Sequence, residues 1–194
     1  MLNIAVFASG RGSNFEALYR AIGKEKIQAK IVLVISNNSS SGILSLAHTF
    51  NIPAFHISQR QFSDPNLFQQ KILETLTSFN ANFIVLAGYM KKMDPVIIRA
   101  FPDRIINIHP ALLPKYGGEG MYGMNVHKAV IAAKEKESGA TVHFVNEEYD
   151  NGAIIGQKKI IVDSNDTAES LAAKVLTVEH ELLPSIIKLF SEKN

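Results

Sequence analysis

Ile4-Ala5-Val6-Phe7-Ala8-Ser9-Gly10-Arg11-Gly12-Ser13-Asn14 is the stretch whose reading decides the fold. An unbroken apolar run without polar alternation is what a strand buried on both faces of a parallel sheet requires. The run ends in a loop punctuated by glycine, and Phe15–Lys24 then reads as an amphipathic helix. The same strand–loop–helix cadence continues along the chain. Ile31–Ile35, Phe83–Ala87 and Ile105–Ile108 read as further strands, and Gly42–Phe50, Pro65–Phe79, Pro95–Phe101 and Val126–Lys134 as helices. This alternation predicts an α/β fold: an open, mostly parallel twisted sheet with right-handed crossovers and helices on both faces.

The last third changes character. Thr141–Val145 and Ile154–Val162 flank a polar, turn-rich loop, which predicts a hairpin and therefore antiparallel C-terminal strands. A long C-terminal helix is expected after them, with Asp166 as N-cap and Glu169 three residues on. Leu171, Val175, Val178, Leu182, Ile186 and Leu189 keep helical spacing, so one face docks on the sheet. Pro184 is expected to kink or interrupt that helix.

Composition bounds the function. With 194 residues and 46% hydrophobic content the chain can bury about 70% of its unfolded surface, enough for one core, so residues 1–194 are read as a single domain. The absence of Cys removes disulfides, thiolate metal sites and cysteine nucleophiles. A formal net charge of +2 gives no strong global attraction to nucleic acid. No apolar stretch reaches the roughly 20 residues of a membrane helix. Met1–Ala8 has no basic leader and reads as the first strand, which sets the expectation of a cytoplasmic protein.

In open α/β sheets ligands sit beyond the carboxyl ends of the strands, so the loops there are the informative segments. Ser9–Asn14 leads into a helix whose free N–H groups favour an anion, and a phosphate is the natural guest. It lacks the Gly-Lys-Ser/Thr ending of a P-loop. As a dinucleotide fingerprint it lacks the third glycine, and Asn37 and Asn38 stand where a ribose-binding acid is wanted. The plainer reading is a tight turn with Asn14 as a helix cap.

Asn107 and His109 alternate with Ile108 along one strand, so both face one way while Ile108 enters the core. An amide donor beside an imidazole suits a carbonyl-derived oxyanion; a cap plus a hydrogen-bonded histidine is the bland alternative. Asp150 reads as a turn residue before Gly152. If it meets His109, its charge should keep that imidazole protonated near neutrality. His48, His56, His127, His143 and His180 are read as structural, and no spacing suits a metal.

Taken together, Ser9-Gly10-Arg11-Gly12-Ser13-Asn14, Leu86-Ala87-Gly88-Tyr89-Met90, Asn107-Ile108-His109-Pro110-Ala111-Leu112-Leu113-Pro114, Gly139-Ala140-Thr141-Val142-His143-Phe144 and Thr177-Val178-Glu179-His180 resemble the phosphoribosylglycinamide formyltransferases. These are folate-dependent enzymes of purine biosynthesis with a Rossmann-like fold. The resemblance implies transfer of the formyl group of 10-formyltetrahydrofolate to the amine of glycinamide ribonucleotide, without a metal, nucleic acid or membrane, by a monomer or homodimer. It assigns Asn107, His109 and Asp150 to catalysis. Arg11, Gly12, Ser13 and Asn14 fall to the ribonucleotide phosphate and Glu179 to its ribose. Met90, Lys91, Lys92, Met93, Asn107, Asn146, Glu147, Glu148, Tyr149 and Asp150 fall to the folate. The chain departs from the family pattern at Lys91, where Arg is frequent, at Pro65, at the long glycine-rich segment 115–123, and after Asp150, where Gly-Pro is frequent.

Three relatives of this chemistry are weighed against it. A formyltetrahydrofolate deformylase would use similar residues but normally carries an extra N-terminal domain, whereas the first strand here begins almost at Met1. A methionyl-tRNA formyltransferase normally adds a C-terminal tRNA-binding domain. A sugar N-formyltransferase gives the phosphate loop less to do. A non-catalytic phosphosugar or folate-binding module would not require Asn107, His109 and Asp150 together.

Overall fold

The computed structural model describes residues 1–25 and 27–192. Its strands are β1 (Leu2–Ala8), β2 (Ala29–Ser36), β3 (Ala54–His56), β4 (Phe83–Leu86), β5 (Ile105–His109), β6 (Glu137–Phe144) and β7 (Ile154–Ile161). Its helices are α1 (Ser13–Glu25), α2 (Gly42–Thr49), α3 (Pro65–Ser78), α4 (Pro95–Ala100), α5 (Met124–Ala132) and α6 (Ala168–Glu192). All seven strands form one sheet in the order β3-β2-β1-β4-β5-β6-β7. The first five run parallel, and β6 and β7 are antiparallel additions at one edge.

The apolar runs alternate between two cores. Ile4, Val6 and Ala8 of β1 face the side covered by α1, α2, α5 and α6. Ala5 and Phe7 face the opposite side, where Ile72 and Leu76 of α3, Ile97 of α4 and Met93 pack. Both faces are therefore dry, which is why β1, β2 and β4 need no polar alternation. The helices on the second face start from matching signals. Asp64 accepts from the Asn66 amide and Asp94 from the Val96 amide, both at 2.8 Å, with Pro65 and Pro95 at the first helical position.

Sequence and structure differ at four places. β3 was not foreseen, because three residues at a sheet edge carry no readable period. The cap of α6 is Thr167 and not Asp166: Thr167 Oγ1 accepts from the Ser170 amide at 3.2 Å, and Ser170 Oγ accepts from the Thr167 amide at 3.0 Å. Asp166 instead binds Lys174 and Ser170. Pro184 does not break α6, which runs through it. Pro184 is buried with Leu183, Ile186 and Ile187 against the sheet, and that packing outweighs one missing helical bond. Leu189 is 52% exposed and lies off the docked face.

The strand order reverses between β1, which leads outward to β2 and β3, and β4, which leads to β5. The chain leaves these two neighbours in opposite directions and opens a crevice at their carboxyl ends. The Ser9 amide donating to the Gly88 carbonyl at 2.9 Å ties the two departing loops together at its floor. No helix among the described residues is long and apolar enough to cross a membrane.

Candidate active site

The crevice widens into a cavity of about 630 Å³. Its walls come from the loops after β1, β4 and β5, the 118–124 segment, Tyr149 and Asp150, and one side of α6. That volume falls in the range of small-molecule sites.

At one end lies the loop after β1. Gly12 has φ +89°, and a Cβ there would stand 2.7 Å from Ile43 Cγ1, so both the backbone conformation and the space demand glycine. The Gly12 carbonyl accepts from the Glu16 amide at 3.0 Å, which makes Gly12 the cap residue of α1. The amides of Ser13, Asn14 and Phe15 therefore precede the first intrahelical donor, Glu16 N–H, in the arrangement that receives anions. Asn14 is no cap. It is 8% exposed and its Nδ2 donates to Glu179 Oε2 at 3.0 Å, while its Oδ1 is buried without a partner. Burial pushes the Glu179 carboxyl up to about 7, against the opposing pull of the Asn14 hydrogen bond. Arg11, Gly12, Ser13, Asn14 and Glu179 all line the cavity. Asn38 serves the loop, donating to the Ser9 carbonyl at 3.2 Å.

At the other end β5 delivers Asn107 and His109 while Ile108 enters the core. Asp150, in the left-handed region at φ +52°, comes in from the β6–β7 loop. Gly152 lets that loop close, because a Cβ there would lie 1.8 Å from the Phe144 carbonyl oxygen. Asp150 Oδ2 accepts from the Gly118 amide at 2.9 Å and lies 3.5 Å from His109 Nδ1. His109 Nε2 is 2.7 Å from the Tyr116 carbonyl. Asn107 Nδ2 stands 3.1 Å from His143 Nε2 and 3.4 Å from Asp150 Oδ1.

The electrostatics correct one expectation. The His109 imidazole lies below its ordinary value, not above it: burial outweighs the attraction of Asp150 and the Tyr116 carbonyl, and His143 pushes the same way as burial. Asp150 lies below the usual carboxylate range. Its burial works the other way but is overcome by His143, His109 and the Gly118 amide.

The residues assigned to folate separate into two groups. Met90, Lys91, Asn107, Tyr149 and Asp150 line the cavity. Met93 is 4% exposed and fills the core beneath α3 and α4, where an unbranched thioether packs well. Lys92 lies outside the cavity wall with its ammonium 5.6 Å from the Tyr149 ring. Asn146, Glu147 and Glu148 also lie outside it. Glu147 pairs with Arg99 at 2.9 Å, Asn146 Oδ1 accepts from the Glu148 amide, and Glu148 accepts from Asn151. They shape the loop that presents Asp150.

Two histidines read as structural stand in the site. His127 lines the cavity, 5% exposed, with Nδ1 unpartnered, and burial and neighbouring His109 hold its imidazole down. His143 is 2% exposed and touches Asn107 and Asp150. The signal for His143 was the hairpin: an antiparallel β6 beside β5 places it directly opposite Asn107. The roles of the Tyr116 carbonyl and the Gly118 amide carry no side-chain signal at all. No group of three or more potential ligands for a metal ion occurs among the described residues.

Comparison with known proteins agrees with this geometry. The profile of a family described as Formyl transferase matches residues 2–187. A chloroplastic phosphoribosylglycinamide formyltransferase of Vigna unguiculata is 42% identical over 190 residues, covering 98% of this chain and 61% of the relative. The Bacillus subtilis phosphoribosylglycinamide formyltransferase is 37% identical over 188 residues, covering 97% and 94%. Among solved structures, glycinamide ribonucleotide transformylase 1 from Symbiobacterium toebii superposes with a TM-score of 0.92 at 32% identity, covering 100% of this chain and 89% of that one. The chain thus spans less than two thirds of the plant relative and nearly all of the bacterial one. With the match running from β1 through most of α6 and taking in every wall of the cavity, the chain belongs to the formyl transferase family, beside its phosphoribosylglycinamide formyltransferases.

Proposed function

We propose that this chain, as a single formyltransferase domain, moves the formyl group of 10-formyltetrahydrofolate to the amine of 5'-phosphoribosylglycinamide in purine biosynthesis. The observation that carries the reading is one cavity with two chemically distinct ends. The open N-terminus of α1 and the Glu179 carboxyl lie at one, and Asn107, His109 and Asp150 at the other. Phosphate takes the amides of Ser13 to Phe15, with Arg11 and Gly12 at its edge, and Glu179 takes a ribose hydroxyl. The folate enters over Met90, Lys91 and Tyr149.

The amine nitrogen attacks the formyl carbon, a C–N bond forms, and the carbonyl π pair moves to oxygen. That oxyanion replaces the Tyr116 carbonyl on His109 Nε2 and accepts from the Asn107 amide. Its negative charge offsets the desolvation that pulls the His109 imidazole down, which favours the imidazolium as the intermediate forms, with Asp150 opposite Nδ1 as counter-charge. The proton lost by the attacking nitrogen balances the one on the imidazolium, which is given up again as the folate nitrogen is protonated and collapse breaks the old C–N bond. Holding both substrates in line supplies a further share of the acceleration, up to about 7–11 kcal/mol for ideal orientation. The proposed setting is the cytoplasm, with a monomer or homodimer acting on small molecules and no metal.

The test follows folate absorbance with and without the ribonucleotide. Acceptor-dependent loss of the formyl donor is the expected result. Formyl release at the same rate without acceptor would make the protein a deformylase, and no change with folded protein would remove the assignment.

A further inference from the structure

We propose that His143 is a positioning residue which fixes the side-chain amide of Asn107, so that its NH2 end faces Asp150 and the reacting oxygen. The inference rests on the transfer reaction proposed above, but its first test does not depend on turnover.

His143 is nearly sealed from solvent, at 2% exposure, on the strand antiparallel to that of Asn107 and directly opposite it. Its Nδ1 lies 2.7 Å from the Phe144 carbonyl. A carbonyl can only accept, so Nδ1 carries a hydrogen, and in the tautomer with that single ring hydrogen Nε2 presents a lone pair. Asn107 Nδ2 meets that lone pair at 3.1 Å. The same nitrogen stands 3.4 Å from Asp150 Oδ1. Turning the amide over would set its oxygen against a lone pair and a carboxylate at once, so one orientation alone is tolerated. His143 Nε2 and Asp150 Oδ1 lie 3.5 Å apart, too close for two diverging amide hydrogens to take one each, so one hydrogen points between them. The other points away from both and is free for a developing oxyanion. Without His143 only the longer contact with Asp150 still discriminates between the two orientations. An amide held only by that longer contact spends part of its time with the wrong end toward the reacting oxygen.

Nitrogen NMR of the full-length protein without substrates reads the His143 tautomer. A protonated Nδ1 with bare Nε2 near neutral pH is expected; a proton on Nε2 overturns the proposal whether or not the protein transfers formyl. For turnover, His143→Phe removes the acceptor and His143→Gln restores an acceptor oxygen. The expected loss in kcat for His143→Phe is about 10–100-fold, below that of deleting an oxyanion donor outright. KM for both substrates should change little, and His143→Gln should recover most of the rate. In an Asn107→Ala background His143→Phe should cost less than about threefold more, because residues acting as one unit are not additive. Equal losses in both backgrounds, or no loss in folded His143→Phe, would overturn the role. Where His143→Phe fails to fold by circular dichroism, His143→Asn, whose shorter amide falls short of Asn107, takes its place with the same expected outcomes.

Discussion

Replacing Glu179 with Gln should make the protein more stable at alkaline pH while weakening its grip on the acceptor. Glu179 is 7% exposed, and burial raises its carboxyl from 4.5 to about 7. A raised carboxyl binds more protons in the folded state than in the unfolded one. Its contribution is fully present below the unfolded value of 4.5 and is lost as pH rises through about 7. Wild-type protein therefore holds a desolvated carboxylate at high pH, a burden of about 3 kcal/mol from the size of that rise. Gln cannot ionise and can still accept from Asn14 Nδ2, so the native contact survives. The substitution should raise stability by about 2–3 kcal/mol more near pH 8.5 than near pH 5. In a chain of this length that is a Tm gain of roughly 5–10 °C. Thermal melts of both proteins at the two pH values read the difference, and the acceptor KM should rise in parallel because the ribose loses an anionic acceptor. Equal Tm changes at both pH values would refute the buried-carboxylate argument. A fall in stability at high pH would show that the charge is compensated by a group the account omits.

Asp150→Asn keeps an oxygen for the Gly118 amide but removes the charge 3.5 Å from His109. At an effective dielectric of about 20 this costs the imidazolium on the order of 3–5 kcal/mol of attraction. Proton NMR should show His109 titrating lower, with kcat down about 10²–10³-fold and both KM values nearly unchanged; an unmoved titration would contradict the pairing. Ser13→Asp sets a like charge at the phosphate end, where a contact of about 4 Å costs up to about 4 kcal/mol, so the acceptor KM should rise at least about tenfold while the folate KM holds. An unchanged acceptor KM would place the phosphate elsewhere. Gly12→Ala combines φ +89° with a Cβ 2.7 Å from Ile43 and should destabilise by about 1–3 kcal/mol in a denaturant titration. Wild-type stability in that variant would mean the loop is not held as described.

The fold was legible because its signals were local and redundant. β1, β2 and β4 are apolar on both faces, and Pro65 and Pro95 follow capping acids, so strand and helix type could be read without knowing their neighbours. What could not be read depended on packing. Pro184 lies in an unbroken helix because the sheet beneath it is apolar, and β3 exists because β2 offers an edge. The site divides in the same way. Asn107, His109 and the glycine loop announce themselves at strand ends, and the family resemblance supplied Asp150 and Glu179. His143 stayed hidden because its partners are 36 residues back and seven residues on, across a register that only the folded hairpin fixes. The sign of the His109 shift was missed for a related reason: a neighbouring carboxylate can be guessed from sequence, whereas the depth of burial that overrides it cannot.

The most direct trial of the account is single-turnover formyl transfer by His109→Ala, with ribonucleotide binding measured separately by calorimetry. A rate lower by about 10³-fold or more alongside undiminished ribonucleotide binding is predicted, since proton placement is lost while the phosphate and ribose contacts remain. A rate within tenfold of wild type would contradict the claim that Asn107, His109 and Asp150 converge on the carbon that changes partners.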